Sequence, residues 1–153
     1  MSPYISYLQH LPALHLAQLL PTIIMTASTL SFATPALYGH LAQLAPADLD
    51  QLDFGVIGFD SETNVCRYNQ TESDAAGLTP PRVMGQPLFT NVAPCLNNFM
   101  VAQRFEDAQD DSAALDDTID YVLTLRMRPV KVALRLLAEP GSAVRYVLVQ
   151  RKI

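Results

Sequence analysis

Ile119-Asp120-Tyr121-Val122-Leu123-Thr124-Leu125-Arg126-Met127-Arg128 alternates with a period of two. Ile119, Tyr121, Leu123, Leu125 and Met127 form one series, and Asp120, Thr124, Arg126 and Arg128 fall in the other. A strand sends successive side chains to opposite faces, so this stretch predicts a strand with one apolar and one polar face. Val130 to Ala138 reads as a second strand, Glu139-Pro-Gly-Ser142 as a turn, and Ala143 to Arg151 as a third strand. Upstream, Phe54-Gly-Val-Ile-Gly-Phe59 and Val65-Cys-Arg-Tyr-Asn69 flank the turn formers Asp60 to Asn64 and predict a hairpin. Between Gln70 and Ala114 the pattern breaks into short pieces. Thr79-Pro80-Pro81 starts one short helix that Gly85 ends, and a longer helix runs from Phe99 to about Ala108. Two strands, short helices, one longer helix and three strands predict an α+β domain. Its form is a five-stranded antiparallel sheet with helices on one face.

The 153 residues allow one domain, able to hide roughly two-thirds of the surface its unfolded form exposes. Half of the residues are hydrophobic and 16% are charged, which excludes collagen, a coiled coil and a wholly disordered chain. The net charge of −5 and the lack of a basic patch argue against a nucleic-acid partner. Three His and two Cys are too few for a common zinc site or a disulfide framework, and such cysteine usage fits the cytoplasm.

No Asp, Glu, Lys or Arg precedes Asp48. A membrane span needs about 20 mostly apolar residues, and Gln9, His10, Pro12, His15, Gln18 and Pro21 interrupt the apolar runs. The front also lacks the Lys or Arg of a signal peptide. Residues 1–24 thus read as an apolar extension, with Met25 an alternative start. His15-Leu-Ala-Gln-Leu-Leu-Pro21 is echoed by His40-Leu-Ala-Gln-Leu-Ala-Pro46, which predicts two short apolar helices. In the second, Thr34 is the expected cap, Pro35 the first turn and Pro46 the stop, with a short turn from Asp48 to Leu52. Leu37, Leu41 and Leu44 share one face, which needs the outer face of a sheet to cover. Residues 25–52 are therefore expected to form a helical cap on a domain of residues 53–153.

Three side chains in the middle could carry chemistry. Tyr68 and Glu72 lie four residues apart and can reach one oxygen if the chain turns between them. Cys95 follows a proline in Val92-Ala-Pro-Cys95, where a thiol serves as nucleophile, covalent anchor or buried small hydrophobe. Taken singly, a Tyr is usually a core aromatic with a wet hydroxyl, and a Glu a solvated charge.

Together they are similar to a known family. Leu52-Asp-Phe-Gly-Val-Ile57, Tyr68-Asn69-x-x-Glu72, Gly77-x-x-Pro80, Val83-x-Gly85 and Val92-Ala-Pro-Cys95 resemble the photoactive yellow proteins, as does Met127-x-Pro129-x-Lys131-Val132. The resemblance covers roughly Asp48 to the last residue, with a small insertion before Asp116. It implies a PAS fold and a blue-light photoreceptor, not an enzyme, acting on an unknown downstream signalling protein. It further implies p-coumaric acid bound as a thioester to Cys95, with Tyr68 and Glu72 donating hydrogen bonds to a buried phenolate. Burial and a neighbouring phenolate both disfavour a charged carboxyl, so the resemblance implies Glu72 as a neutral acid. Light-driven trans-to-cis isomerisation then sends its proton to the phenolate. The implied result is an unpartnered buried carboxylate and partial unfolding or release of the N-terminal helices.

Ala76, Leu78, Leu88, Val92, Leu123, Leu125 and Met127 complete the implied pocket. Ala76 stands where the family commonly has a hydroxyl residue supporting the Tyr. Leu78 stands where an Arg commonly covers the chromophore, and Leu88, Leu123 and Leu125 where aromatic rings are frequent. These departures imply a shifted colour and altered recovery. Met127 is either a chromophore contact or the last inward residue of its strand. Cys66 is expected as a small core hydrophobe. Glu106 to Asp117, with six carboxylates in twelve positions, is expected as a solvated helix end and loop. Two other functions stay open. A pigment-free PAS sensor or interaction module is kept open by Ala76 and Leu78. A Cys-dependent enzyme would need a base, and all three His precede residue 41.

Overall fold

The computed structural model describes residues 26–124 and 128–152. A single antiparallel sheet contains β1 (Gly55–Phe59), β2 (Val65–Tyr68), β3 (Leu115–Leu123), β4 (Val130–Ala138) and β5 (Arg145–Arg151). Their spatial order is β2-β1-β5-β4-β3. β5 therefore lies between the early hairpin and the later strands, with Gly55 opposite Val149 and Phe59 opposite Arg145. Asp60 closes the β1–β2 turn by accepting the amides of Glu62 and Asn64 on its Oδ1. The α+β class and the five antiparallel strands are those the sequence predicts.

Alternation along the strands divides the core in two. From β5, Val147 and Val149 face one side, where they pack with Phe59, Leu88, Leu96, Val101, Phe105 and Leu134. That side is covered by α3 (Gln70–Ala76), α4 (Pro80–Val83), a π-helical turn (Leu88–Val92), a 3-10 turn (Pro94–Leu96) and α5 (Ala102–Asp110). Tyr146 and Leu148 face the other side and meet Leu37, Leu41 and Leu49. Those leucines belong to the cap helices, which precede the sheet in the chain. In order they are α1 (Leu37–Gln43) and α2 (Pro46–Leu49).

Polar side chains of the sheet also hold this cap by its backbone. Arg67 donates to the carbonyls of Leu41 and Leu44 near the end of α1. Arg135 donates to the carbonyls of Phe32 and Thr34, both at 2.8 Å. In return the Tyr38 hydroxyl donates to the Val144 carbonyl.

Several boundaries differ from expectation. α1 begins at Leu37, after Ala36 in a left-handed conformation (φ 52°), and Thr34 does not cap it. The Thr34 hydroxyl instead accepts the Ser31 amide at 2.8 Å. Pro46 opens α2 at its first turn, where a missing amide is harmless, so a helix replaces the expected start of the 48–52 turn. α5 starts at Ala102 because Asn98 Oδ1 accepts the amides of Met100 and Val101 and holds them in a turn. β2 stops at Tyr68 because Asn69 becomes the cap of α3. β3 starts at Leu115, paired with Ala138, and ends at Leu123. Asp116 and Asp117 are therefore strand residues paired with Arg135 and Arg104, not part of a solvated loop. Cys66 is half-buried, and burial, then Asp60, push its thiol up. The readings of residues 1–25, Leu125 and Met127 lie outside the described residues. No helix among the described residues is long and apolar enough to cross a membrane.

Candidate functional site

The site is built where β2 turns into α3. Strand alternation points Arg67 to the cap side and Tyr68 into the opposite core. Asn69 then ends the strand. Its Oδ1 accepts the Glu72 amide at 3.1 Å, a typical N-cap bond, and Gly77 closes the helix in a left-handed conformation (φ 71°). Glu72 thus sits in the first turn of α3, only 1% exposed.

Its neighbours are set by the sheet. β1 presents Gly55, and a Cβ there would stand 3.1 Å from Glu72 Cδ and overlap Oε1. A glycine is required here for close approach, whatever its backbone angles. From β5, Arg151 donates to Glu72 through both guanidinium nitrogens, at 2.8 Å to Oε1 and 3.1 Å to Oε2. In this structure the buried Glu72 carboxyl therefore has a bidentate partner. The Tyr68 hydroxyl is buried and has no hydrogen-bond partner among the described residues. Burial, then the Glu72 charge, push its phenol well above the ordinary tyrosine value, and Arg151 opposes them.

The other end of the site comes from the chain after α4. The Val92 amide donates to the Pro87 carbonyl at 3.1 Å and the Ala93 amide to that of Leu88 at 2.8 Å. These wide turns bury Leu88 and Val92 and lead directly into the 3-10 turn that carries Cys95. Such π-turns recur at functional sites. Cys95 is half-buried, and its carbonyl accepts from the Tyr121 hydroxyl and from Asn98 Nδ2. One apolar cluster contains Tyr68, Leu88, Val92 and Leu123, and Leu78 and Cys95 pack against it. Ala76 is buried on α3. Arg151 and Gly55 are the residues the sequence reading missed. An Arg near a strand end looks like a solvated charge, and only the β1–β5 register places it beside α3.

These residues fit a phenolic group on one structural count: Tyr68 offers a buried hydroxyl that nothing described satisfies. That orphan predicts an unusual mutant. Tyr68→Phe should stabilise the ligand-free protein at neutral pH by about 1 kcal/mol, since an unsatisfied buried polar group costs about 1–3 kcal/mol. The folded phenol titrates above its unfolded value of about 10, so its contribution is present below that pH and fades as pH rises beyond it. Urea unfolding should therefore show the Phe variant gaining further above pH 10. A loss of stability at pH 7 would contradict the orphan.

No protein-family model matches the chain. Photoactive yellow protein of Halochromatium salexigens is 31% identical over 105 residues, spanning 69% of this chain and 83% of the relative. That of Rhodothalassium salexigens is 27% identical over 107 residues, spanning 70% and 85%. Among solved structures, the photoactive yellow protein domain of the sensor histidine kinase Ppr of Rhodospirillum centenum is 34% identical. It superposes with a TM-score of 0.67 over 73% of this chain and 97% of that domain. The PAS domain of the Cronobacter turicensis quorum-sensing receptor RpfR, 14% identical with a TM-score of 0.52, shares the fold. Kinship follows from identity at this level across most of a relative that folds the same way, and this chain belongs to the photoactive yellow protein family.

Proposed function

We propose that the chain is a cytoplasmic blue-light photoreceptor with p-coumaric acid joined to Cys95 as a thioester and with Tyr68 and Glu72 at the phenol end. It would signal to a partner protein and perform no catalysis. Bound there, the chromophore supplies blue absorption and a light-driven trans-to-cis turn about its double bond. The observation that carries this reading is the buried Tyr68 hydroxyl, unpartnered among the described residues, beside Glu72 in the apolar cluster against which Cys95 packs.

The chain's own residues divide the work. Tyr68 donates one hydrogen bond, and Leu78, Leu88, Val92 and Leu123 exclude water from it. The family resemblance would add Ala76, Leu125 and Met127 to this pocket. Glu72 is the proton carrier: it holds a proton on a carboxyl oxygen in one state and is a carboxylate in the other. An uncompensated buried charge costs about 3–5 kcal/mol, enough to loosen a cap held at its edges. Arg151 lies within reach of that carboxylate and lowers the cost. The light state should accordingly be milder than an orphaned charge would produce. Hydrogen exchange in light and dark measures it: amides of 26–52 should exchange faster under illumination. Equal protection in both states would exclude cap release.

The primary test is an absorption spectrum after incubation with activated p-coumaric acid, beside a Cys95→Ala control. The expected result is a blue-region band that light bleaches and darkness restores, absent from the control. A band that persists in the control removes Cys95 as the anchor. Ala76 and Leu78 keep open a second reading, a pigment-free PAS sensor, and failure to form any adduct would select it.

A further inference from the structure

The end of β5 away from Arg151 carries a second arginine, and its charge has no counterpart. Arg145 opens β5 opposite Phe59 and is only 8% exposed. Its guanidinium lies 4.9 Å from the centroid of the Phe59 ring, a cation–π contact that covers one face. One terminal nitrogen donates to Gln109 Oε1 at 2.9 Å and the other to the Asp60 carbonyl. Both acceptors are neutral. A guanidinium has five N–H donors, and two bonds leave three without a partner among the described residues. Arg104, Arg135, Arg151 and Lys152 each have a carboxylate partner, and Arg145 has none among the described residues. Asp60 spends its Oδ1 on the amides of Glu62 and Asn64. Burial pulls the Arg145 guanidinium below its ordinary value, and Asp60, then Tyr38, oppose it. A buried charge is costly unless it is paired.

This arginine lines a cavity of about 330 Å³. The topology brings its walls together from the end of α5, the β4–β5 turn and Ser61 of the β1–β2 turn. Phe105, Ala108 and Ala138 give it an apolar wall. A strand rises about 3.3 Å per residue, so Arg145 and Arg151 stand roughly 20 Å apart along β5. We propose that this cavity binds a small monocarboxylate with an apolar body, gripped by Arg145. The planar guanidinium matches a carboxylate in shape and supplies the charge it needs. Gln109 also lines the cavity, and its Nε2, with no partner among the described residues, adds a donor. Phe105, Ala108 and Ala138 then take the ligand body out of water. Charge limits the class of anion. Glu139 lines the same cavity and Asp60 acts on Arg145, so a dianion meets twice the repulsion that a monoanion does. Size limits it too, since ligand pockets run from about 300 to 1,000 Å³ and this one lies at the small end. The site is separate from the cluster of Tyr68 and Cys95 and does not rest on the photoreceptor reading.

Benzoate is the probe, with benzamide as its neutral counterpart and inorganic phosphate as the more highly charged anion. Each is titrated into the full chain and followed by amide NMR spectra. Benzoate should give saturable shifts at residues 105–113 and 138–145, with a Kd of about 1 mM or lower. Benzamide should bind about tenfold more weakly or worse, because hydrogen bonds to a charged group are roughly twice as strong as neutral ones. Phosphate should also bind more weakly than benzoate. R145Q should abolish the benzoate shifts, and so should A108L, which keeps the arginine and fills the cavity. No saturable shift in these two segments overturns the proposal, as does benzamide or phosphate binding as tightly as benzoate. Shifts centred on Tyr68 and Cys95 would put the carboxylate in the other cluster and overturn it as well, and so would undiminished binding in R145Q. The comparison of the three probes on the native chain decides the matter even if neither variant folds. Cys95 labelling is not part of the readout, so failure of the photoreceptor reading leaves this result standing.

Discussion

Asn69→Ala should lower the stability of the protein by about 3–5 kcal/mol, since it removes four hydrogen bonds and strands buried partners worth about 1 kcal/mol or more each. Asn69 is fully buried. Its Oδ1 accepts the amides of Val56 at 2.9 Å and Glu72 at 3.1 Å. Its Nδ2 donates to the carbonyls of Leu49 at 3.0 Å and Phe54 at 2.9 Å. One amide group therefore joins the cap, β1 and the helix that carries Glu72. Asn69→Asp should be about as damaging, because it keeps the acceptor but turns an anion toward two carbonyls. Urea unfolding of both variants, with exposed Asn91→Ala as a control, checks the claim. A loss below about 1 kcal/mol for Asn69→Ala would mean that water replaces these bonds and that no such junction exists.

Arg135→Leu should cost about 2–4 kcal/mol, because hydrogen bonds from a charged group contribute about 1.5–3 kcal/mol each and the carbonyls it leaves are buried. Replacing a buried ion pair by apolar side chains is often neutral. Here the acceptors include the Phe32 and Thr34 backbone, which no leucine can satisfy. Asp116, the ionic partner, is 46% exposed, so Asp116→Asn should cost far less. The sites of faster exchange separate this from general weakening. Amides of the 30–34 segment should exchange faster in Arg135→Leu, while those of the β3–β4 ladder keep their protection. Uniform acceleration across the sheet would count against a local latch.

The strands were largely legible because their signals are local. Val130–Ala138 is bounded as its sequence implies, and Gly85 and Gly77 stop helices as glycines in the left-handed region do. Errors arose where a side chain spends its hydrogen bonds outside its own element. Thr34 reads as a cap until its carbonyl is taken by Arg135 and its hydroxyl turns back to Ser31. Phe99 reads as helical until Asn98 claims the two amides that follow it. Tyr68, Glu72 and Cys95 were singled out through resemblance, since each alone is an ordinary residue. Arg151 could not be found that way, because its meaning depends on a ladder between strands near opposite ends of the chain.

The position of β5 has a consequence for how the molecule assembles. The β1–β2 hairpin and the β3–β4–β5 meander can each form from local contacts, but the ladder from Gly55–Val149 to Phe59–Arg145 must join them across most of the chain. Closing so long a loop is slow and entropically expensive, and it is the natural late step of folding. Glu72 and Arg151, 79 positions apart, straddle that seam. Tyr68 lies on the hairpin side of it and Leu123 on the meander side. An occupant of the cluster would touch both halves and act as a rivet, so loading should slow unfolding more than it speeds folding. Light that loosens the rivet would then act at the joint this chain makes last.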